Sequence, residues 1–306
     1  MTVKTDMFRI LNRAVRGRLI EDEPLSGHTS FRIGGPADFW FHPKDIEDLS
    51  AGLKACAEDG VPVFVIGRGT NLLVADAGFR GVVFDLAETF TGISGEGPEV
   101  NAGAGGLLWD LLDYCAARGL SGFEALAGIP GSVGGGVRLN AGAFGREVRD
   151  RLVDVTTAEP DGTLTVRTRD ALAMEYRRTA LPEASVVASA RFSFEPGDPL
   201  RMKAEQEAVL ARRREKQPLS MPSAGSVFKR PPGDFAGRLI EDAGLKGLRI
   251  GDAMVSGKHA NFIVNVGSAS ASDVKALIDE IRGRVHARFG VTLEPEIRFL
   301  GFGDAA

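Results

Sequence analysis

Residues 126–145 read LAGIPGSVGGGVRLNAGAFG, seven glycines in twenty positions. Glycine at that density weakens helices and strands alike. It is tolerated where backbone must turn at positive φ, or come close to a ligand with no Cβ in the way. Pro130 and Gly131 set a tight turn, and the run Gly134, Gly135, Gly136 offers bare amides able to form an anion-binding concavity. Asn140 adds a side-chain amide for a heteroatom-rich ligand. The competing reading is a flexible surface loop. Against it, Ile129, Val133, Val137, Leu139 and Phe144 thread apolar groups through the glycines, which linkers rarely do. The stretch reads as a cofactor cradle.

A second glycine loop lies upstream. Residues 61–66 form an apolar strand that runs into Gly67, Arg68, Gly69, Thr70 and Asn71. A strand ending in Gly-X-Gly can aim backbone N–H groups at phosphate, although many such loops are only tight turns. Leu72, Leu73 and Val74 continue as strand, so the helix required by a Rossmann fingerprint is missing, and no Walker lysine follows.

At 306 residues the chain exceeds the size at which single cores usually stop growing, so two or three subdomains are expected. The net charge of −4 argues against nucleic-acid binding by the chain as a whole. Its distribution is uneven: residues 201–306 carry 17 Lys+Arg against 13 Asp+Glu, and residues 1–200 carry 20 against 28. A basic last third suits an anionic ligand. Cys56 and Cys115 fall on the apolar sides of expected helices and read as reduced core residues. No segment has the length of a membrane span or the form of a signal peptide, so a cytoplasmic protein is expected.

In order, the patterns predict a docking helix over 7–19, a strand over 37–41 and a helix over 44–58. Strands at 81–86 and 99–102 precede a helix over 106–118. Past the cradle come a hairpin over 153–167 around Pro160, Asp161 and Gly162, a strand over 185–194 and a helix over 201–216. The last third holds a helix over 235–243, strands over 246–255 and 261–266, a long helix over 271–289 and a final strand over 294–298. The fold class is α+β, with a boundary near residue 200.

Four histidines, none at zinc-ligand spacing, speak against metal catalysis. Ser226 lacks the Gly-X-Ser-X-Gly frame of esterases. What remains is a hydroxyl at Ser226, an arginine at Arg177 directly after Tyr176, and a carboxyl group at Glu296. Such a set suits proton delivery and stabilisation of a carboxylate or enolate. It cannot carry a redox step without a cofactor.

Taken together the motifs resemble the UDP-N-acetylenolpyruvoylglucosamine reductase (MurB) family over nearly the whole chain. The resemblance rests on TSFRIGG at 29–35, the loop 67–71, GIPGSVGG at 128–135, NAGA at 140–143, SAGSVFK at 223–229, IEDAGLKG at 240–247 and PEIRFLG at 295–301. It implies a two-part FAD-binding domain of the vanillyl-alcohol-oxidase (PCMH) type, residues 1–85 and 86–200, followed by an α+β substrate-binding domain, residues 201–306. FAD would be held non-covalently by Gly67, Arg68, Gly69, Thr70, Asn71, Gly128, Ile129, Pro130, Gly131, Ser132, Gly134, Gly135, Asn140, Gly142 and Ala143. The implied reaction carries hydride from NADPH through FAD to the terminal alkene carbon of UDP-N-acetylglucosamine enolpyruvate, giving UDP-N-acetylmuramate for peptidoglycan synthesis. Arg177 and Glu296 would stabilise the enolate-like charge and Ser226 would deliver the proton. Glu296 helps an anion only when protonated.

Tyr176, Lys229, Arg230, Lys258 and His259 are the expected substrate contacts, the cations among them facing the diphosphate. A monomer is expected. Two departures stand out: Phe144 replaces a tyrosine common in the family, and the tyrosine-bearing insertion of the family's longer form is absent. The alternative is another FAD-dependent oxidase or dehydrogenase on the same cofactor fold.

Overall fold

The computed structural model describes residues 3–303. The chain divides into two compact units. Unit 1 comprises residues 1–22, 38–68 and 81–211, and unit 2 comprises residues 23–37, 69–80 and 212–306. This differs from three consecutive blocks, because two early segments fold with the C-terminal part. One cause is visible in the pairing: strand Leu72–Val74 lies parallel to strand Arg298–Leu300. Neither strand is long enough to be stable without a partner.

Unit 1 is organised on two sheets. A four-stranded sheet runs in the order Arg18–Pro24, Pro36–His42, Phe79–Asp85, Val63–Ile66, and its last pair is parallel. A five-stranded antiparallel sheet has the order Leu164–Thr168, Leu152–Ala158, Val186–Ser193, Glu99–Gly103, Ile93–Glu96. The two sheets fall on either side of residue 86. Helix α1 (Val3–Ala14), α2 (Ile46–Glu58), α3 (Leu108–Ala117) and the short α4 (Val133–Arg138) complete the unit. Its core includes Phe39, Phe41, Phe84, Phe123 and Phe192, all essentially without solvent contact.

The expected helix over 7–19 ends early, at Ala14, and strand Arg18–Pro24 begins four residues later. The fully buried Asp48 explains the break. Its carboxylate accepts N–H bonds from Arg16 (2.7 Å), Gly17 (2.8 Å) and Lys44 (2.8 Å). Gly17 itself lies so close to the His42 carbonyl that a Cβ would stand 2.0 Å from the oxygen. Both thiols sit in this core. Burial first, with nearby Asp59 and Glu124 adding to it, pushes Cys56 and Cys115 each up to about 12. A thiol held that far from ionisation is not a nucleophile. Ellman's reagent is expected to find no reacting thiol in native protein and both after denaturation; rapid reaction of either in the native state would contradict this packing.

Helix α5 (Pro199–Lys216) spans the boundary at residue 211. Unit 2 holds α6 (Ala236–Asp242), α7 (Ala271–Phe289) and a three-stranded sheet of Arg249–Ile250, Ala253–Val255 and Ile263–Asn265. The sequence pattern for α7 holds at both ends. Ser270 and Asp273 form a capping box, and Gly290 closes the helix at φ 68°. A second cap comes from Asp76, whose carboxylate accepts from the N–H of Ala271 (2.7 Å), the N–H of Ser272 (3.0 Å) and the Ser272 hydroxyl (2.8 Å). The Leu277, Ile278, Ile281 and Val285 face of α7 packs with Phe31, Ile33, Leu73 and Phe228 into one apolar core. Among the described residues no helix is long and apolar enough to cross a membrane.

Candidate active site

The glycine run does not leave bare amides. Val133–Arg138 is a helix, begun by Ser132, whose hydroxyl accepts from the N–H of Gly135 at 3.2 Å. The N–H groups of Val133, Gly134 and Gly136 donate to Gly106, Ala104 and Ser132 carbonyls. The glycines serve close packing instead. A Cβ on Gly134 would stand 2.8 Å from the Ala104 Cβ, and one on Gly136 would stand 3.2 Å from the Leu108 methyls. The expected concavity at Gly134, Gly135 and Gly136 is therefore corrected to the start of a tightly docked helix.

Gly128 (φ 74°) and Gly131 (φ 148°) do turn as expected, on either side of Ile129 and the exposed Pro130. The second glycine loop comes to the same place. A Cβ on Gly67 would stand 2.4 Å from the Ser132 hydroxyl, so the end of strand Val63–Ile66 abuts the start of α4. Arg68 is exposed beside it. Past Arg68 the loop belongs to unit 2, where Gly69 accepts from the N–H of Ser30 at 3.1 Å. Thr70 follows, half-buried.

Asn140 also needs correcting. Its side chain is fully buried, and its amide is committed within the protein: Nδ2 donates to Glu147 Oε2 (2.9 Å) and to the Glu175 carbonyl (3.0 Å), while Oδ1 accepts from the N–H of Arg149 (3.1 Å). It cannot serve a cofactor directly. Gly142 and Ala143 pair with Glu147 and Arg146 as a hairpin whose two turn residues, Phe144 (φ 51°) and Gly145 (φ 80°), both lie at positive φ. That is the signature of a type I′ turn, and it leaves Phe144 54% exposed. Arg177 Nη2 donates to the Gly142 carbonyl at 3.1 Å, and the Arg177 guanidinium lies 5.0 Å from the Tyr176 ring centre.

In unit 2, Ser226 and Glu296 are brought onto adjoining extended segments. Ser226 bridges to Phe262 and Phe228 bridges to Pro295. The N–H of Glu296 donates to the Val227 carbonyl at 2.7 Å, one residue from Ser226. Two asparagines fix this pair. Asn261 receives the N–H of Phe228 on Oδ1 (3.0 Å) and donates Nδ2 to the Phe228 carbonyl (2.9 Å). Asn71 donates to the Glu296 carbonyl at 3.1 Å. Its amide is thus engaged in holding the Glu296 segment, a role the loop motif alone does not reveal. Asn261 was missed; its only trace in the sequence is a polar residue opening an apolar run.

The basic candidates are less free than their charges suggest. Lys229 pairs with Glu294 at 3.2 Å, Arg230 stacks 4.1 Å from the Phe235 ring centre, and Lys258 Nζ donates to the Arg214 carbonyl at 2.5 Å. His259 is not a cation at neutral pH. Burial first, and the charge of Lys246 with it, hold its pKa below the usual 6.5, and Nδ1 accepts from the N–H of Asn261 at 3.2 Å. A titration of the His259 ring by NMR is expected to give a midpoint below 6.5, where a midpoint at or above it would contradict the packing. Because the unfolded state takes the proton more readily, the contribution of His259 to stability is present above the ordinary value. It is lost as pH falls through the depressed one.

A cleft of about 390 Å³ lies in unit 2 among Arg32, Gly34, Asp76, Asn265 and Ser268. Its polar groups are largely engaged in folding. Asn265 Oδ1 accepts from the N–H of Gly267 and of Ala269, and Asp76 caps α7.

Residues 37–167 match the profile of an FAD binding domain, and residues 217–300 match the C-terminal domain of UDP-N-acetylenolpyruvoylglucosamine reductase. The UDP-N-acetylenolpyruvoylglucosamine reductase of Agathobacter rectalis is 46% identical over 92% of this chain and 94% of its own length. The chain belongs to the MurB family. A second relative, UDP-N-acetylenolpyruvoylglucosamine reductase 2 of Symbiobacterium thermophilum, is 45% identical over 93% of both chains. The crystal structure of MurB from Thermus caldophilus superposes with a TM-score of 0.80 at 37% identity, covering 93% of this chain and 99% of that one. Glucooligosaccharide oxidase of Acremonium strictum has a TM-score of 0.51 at 13% identity over 94% of this chain and 60% of its own, a likeness of fold alone.

Membership of MurB places FAD with this fold, and the residues suit it. Where Gly67 abuts Ser132, the missing Cβ lets the loop backbone come up against the Ser132 hydroxyl. The groups there are the Ser132 hydroxyl, exposed backbone at Gly67 and the exposed Arg68 side chain, a set suited to a dinucleotide phosphate. Both cysteines are buried and un-ionised, so neither is available for a thioether to the flavin.

Proposed function

We propose that the chain reduces the enolpyruvyl ether of UDP-N-acetylglucosamine enolpyruvate to the lactyl ether of UDP-N-acetylmuramate, with NADPH as reductant and FAD bound without a covalent link. The observation that carries this reading is identity of 46% with a reductase of that name over 92% of the chain. FAD, when bound, supplies the hydride-transfer chemistry that side chains lack. Gly67, Arg68, Gly128, Gly131 and Ser132 would hold it. Gly134 and Gly135, in the first turn of the helix that Ser132 begins, would support that surface.

The chain's own residues then have three tasks. Hydride arriving at the terminal alkene carbon leaves an electron pair on the neighbouring carbon, delocalised into the carboxylate. Arg177 offers a planar fork of N–H donors matched to that carboxylate. Glu296 adds a carboxyl group beside the same charge. Ser226 delivers the proton that completes the new C–H bond, with Lys229 three residues on as the nearest cation in sequence. Tyr176, half-exposed next to Arg177, would meet the substrate, and Lys229, Arg230 and Lys258 would meet its phosphates. His259 would join them as a neutral donor. A cytoplasmic monomer completes the proposal.

The test is product identity. Purified yellow protein supplied with NADPH and UDP-N-acetylglucosamine enolpyruvate should form a product two hydrogens heavier, identical to UDP-N-acetylmuramate by mass and retention. NADPH consumed without that product would overturn the proposal.

A further inference from the structure

The segment bearing Arg177 is held by a network that the reaction itself does not call for. Residues 175–178 reverse direction. The N–H of Glu175 donates to the Arg178 carbonyl at 2.9 Å, the N–H of Arg178 donates back at 3.2 Å, and Arg177 sits at φ 57°. A non-glycine residue there is strained and persists only when its surroundings fix it. Those surroundings are two consecutive carbonyls just ahead of Tyr176. Arg149 Nη1 donates to Met174 O at 2.9 Å, and Asn140 Nδ2 donates to Glu175 O at 3.0 Å. The two donors are themselves joined. Asn140 Oδ1 accepts from the N–H of Arg149, and Glu147 Oε2 receives both Asn140 Nδ2 (2.9 Å) and Arg149 Nε (2.7 Å). Two residues past Asn140, the Gly142 carbonyl receives the Arg177 guanidinium.

One cluster therefore grips both the backbone ahead of Arg177 and its guanidinium. We propose that Asn140 and Arg149 are positioning residues for Arg177, acting through Glu147, which locks them together. The proposal rests on the reductase reading, in which Arg177 serves the substrate carboxylate. It gives the buried asparagine of the glycine stretch a task in the second half-reaction rather than in holding the cofactor. Misplacing a charge-stabilising group by about 1 Å can cost roughly a hundredfold in rate.

Two variants test it in the FAD-bound protein. Asn140→Asp keeps the size of the side chain but replaces two N–H donors by a carboxylate oxygen facing Glu147 and the Glu175 carbonyl. Arg149→Met keeps the stem of an exposed residue and removes its fork. Each is expected to slow flavin reoxidation by UDP-N-acetylglucosamine enolpyruvate by about 10- to 100-fold, with reduction by NADPH changed less than about twofold. On an Arg177→Ala background neither should cost more than about twofold further, whereas independent effects would multiply. Amide exchange at Glu175 and Arg178 should quicken in both variants, a readout that needs no turnover. Losses that multiply with Arg177→Ala, or that fall equally on both half-reactions, would overturn the proposal. If Asn140→Asp fails to retain FAD, Arg149→Met decides alone. Parent enzyme that is not reoxidised by the substrate would instead refute the reductase reading and leave the exchange result standing by itself.

Discussion

A Ser226→Ala enzyme is expected to accept hydride from NADPH at close to the parent rate and to lose about 10²- to 10⁴-fold in reoxidation by the enolpyruvyl substrate, the range for a general acid. The two halves separate because the hydroxyl is needed only when carbon takes its proton. The framework should survive the change, since the Ser226 segment is fixed through backbone pairing to Phe262 and by the neighbouring Val227 and Phe228, not through its hydroxyl. Rapid-mixing measurement of each half-reaction checks this. Equal loss in both would mean a damaged site, and normal reoxidation would remove Ser226 from proton delivery.

Arg177→Ala is expected to cost on the order of 3–4 kcal/mol of barrier, a few hundredfold or more, in the same second half-reaction. Arg177→Lys should recover only part of that loss. A point charge restores the sign but not the planar pair of donors, and the φ of 57° remains strained for either replacement. Comparing reoxidation rates for the three enzymes, with substrate affinity measured separately, decides the matter. A lysine variant as fast as the parent would show that charge alone suffices.

Much of the fold was legible because its signals are local. Helix α7 announces its start with Ser270 and Asp273 and its end with Gly290. The hairpin of Leu152–Ala158 and Leu164–Thr168 turns at residues 159–163, with Gly162 at φ 83°. The family motifs fixed the α+β class with an FAD-binding domain, now supported by the matches over 37–167 and 217–300. What misled was glycine. Its density in 126–145 argued against helix, yet Gly134 and Gly136 sit in α4 because only a missing Cβ allows contact with Ala104 and Leu108. A six-residue helix is too short to show a periodic face.

The other features that local pattern does not show come from partners distant in sequence. Nothing in the local pattern says that Asp48 will collect the N–H groups of Arg16 and Gly17 and so stop α1, or that Leu72–Val74 will pair with Arg298–Leu300. Asn140 and Asn71 stand in motifs that the family resemblance assigns to the cofactor. Their amides turn inward, to Glu175 and to Glu296, and hold the segments that carry the proposed catalytic groups. The basic last third likewise overstates its free charge, since Lys229 pairs with Glu294 and His259 is neutral.

Anaerobic stopped flow tests the central claim most directly. Enzyme reduced by NADPH, freed of nucleotide and mixed with UDP-N-acetylglucosamine enolpyruvate should regain the absorbance of oxidised flavin in one phase whose rate rises with substrate and saturates. Flavin that stays reduced under these conditions, yet reoxidises promptly when oxygen is admitted, would contradict the account and place the chain among oxidases of the same fold.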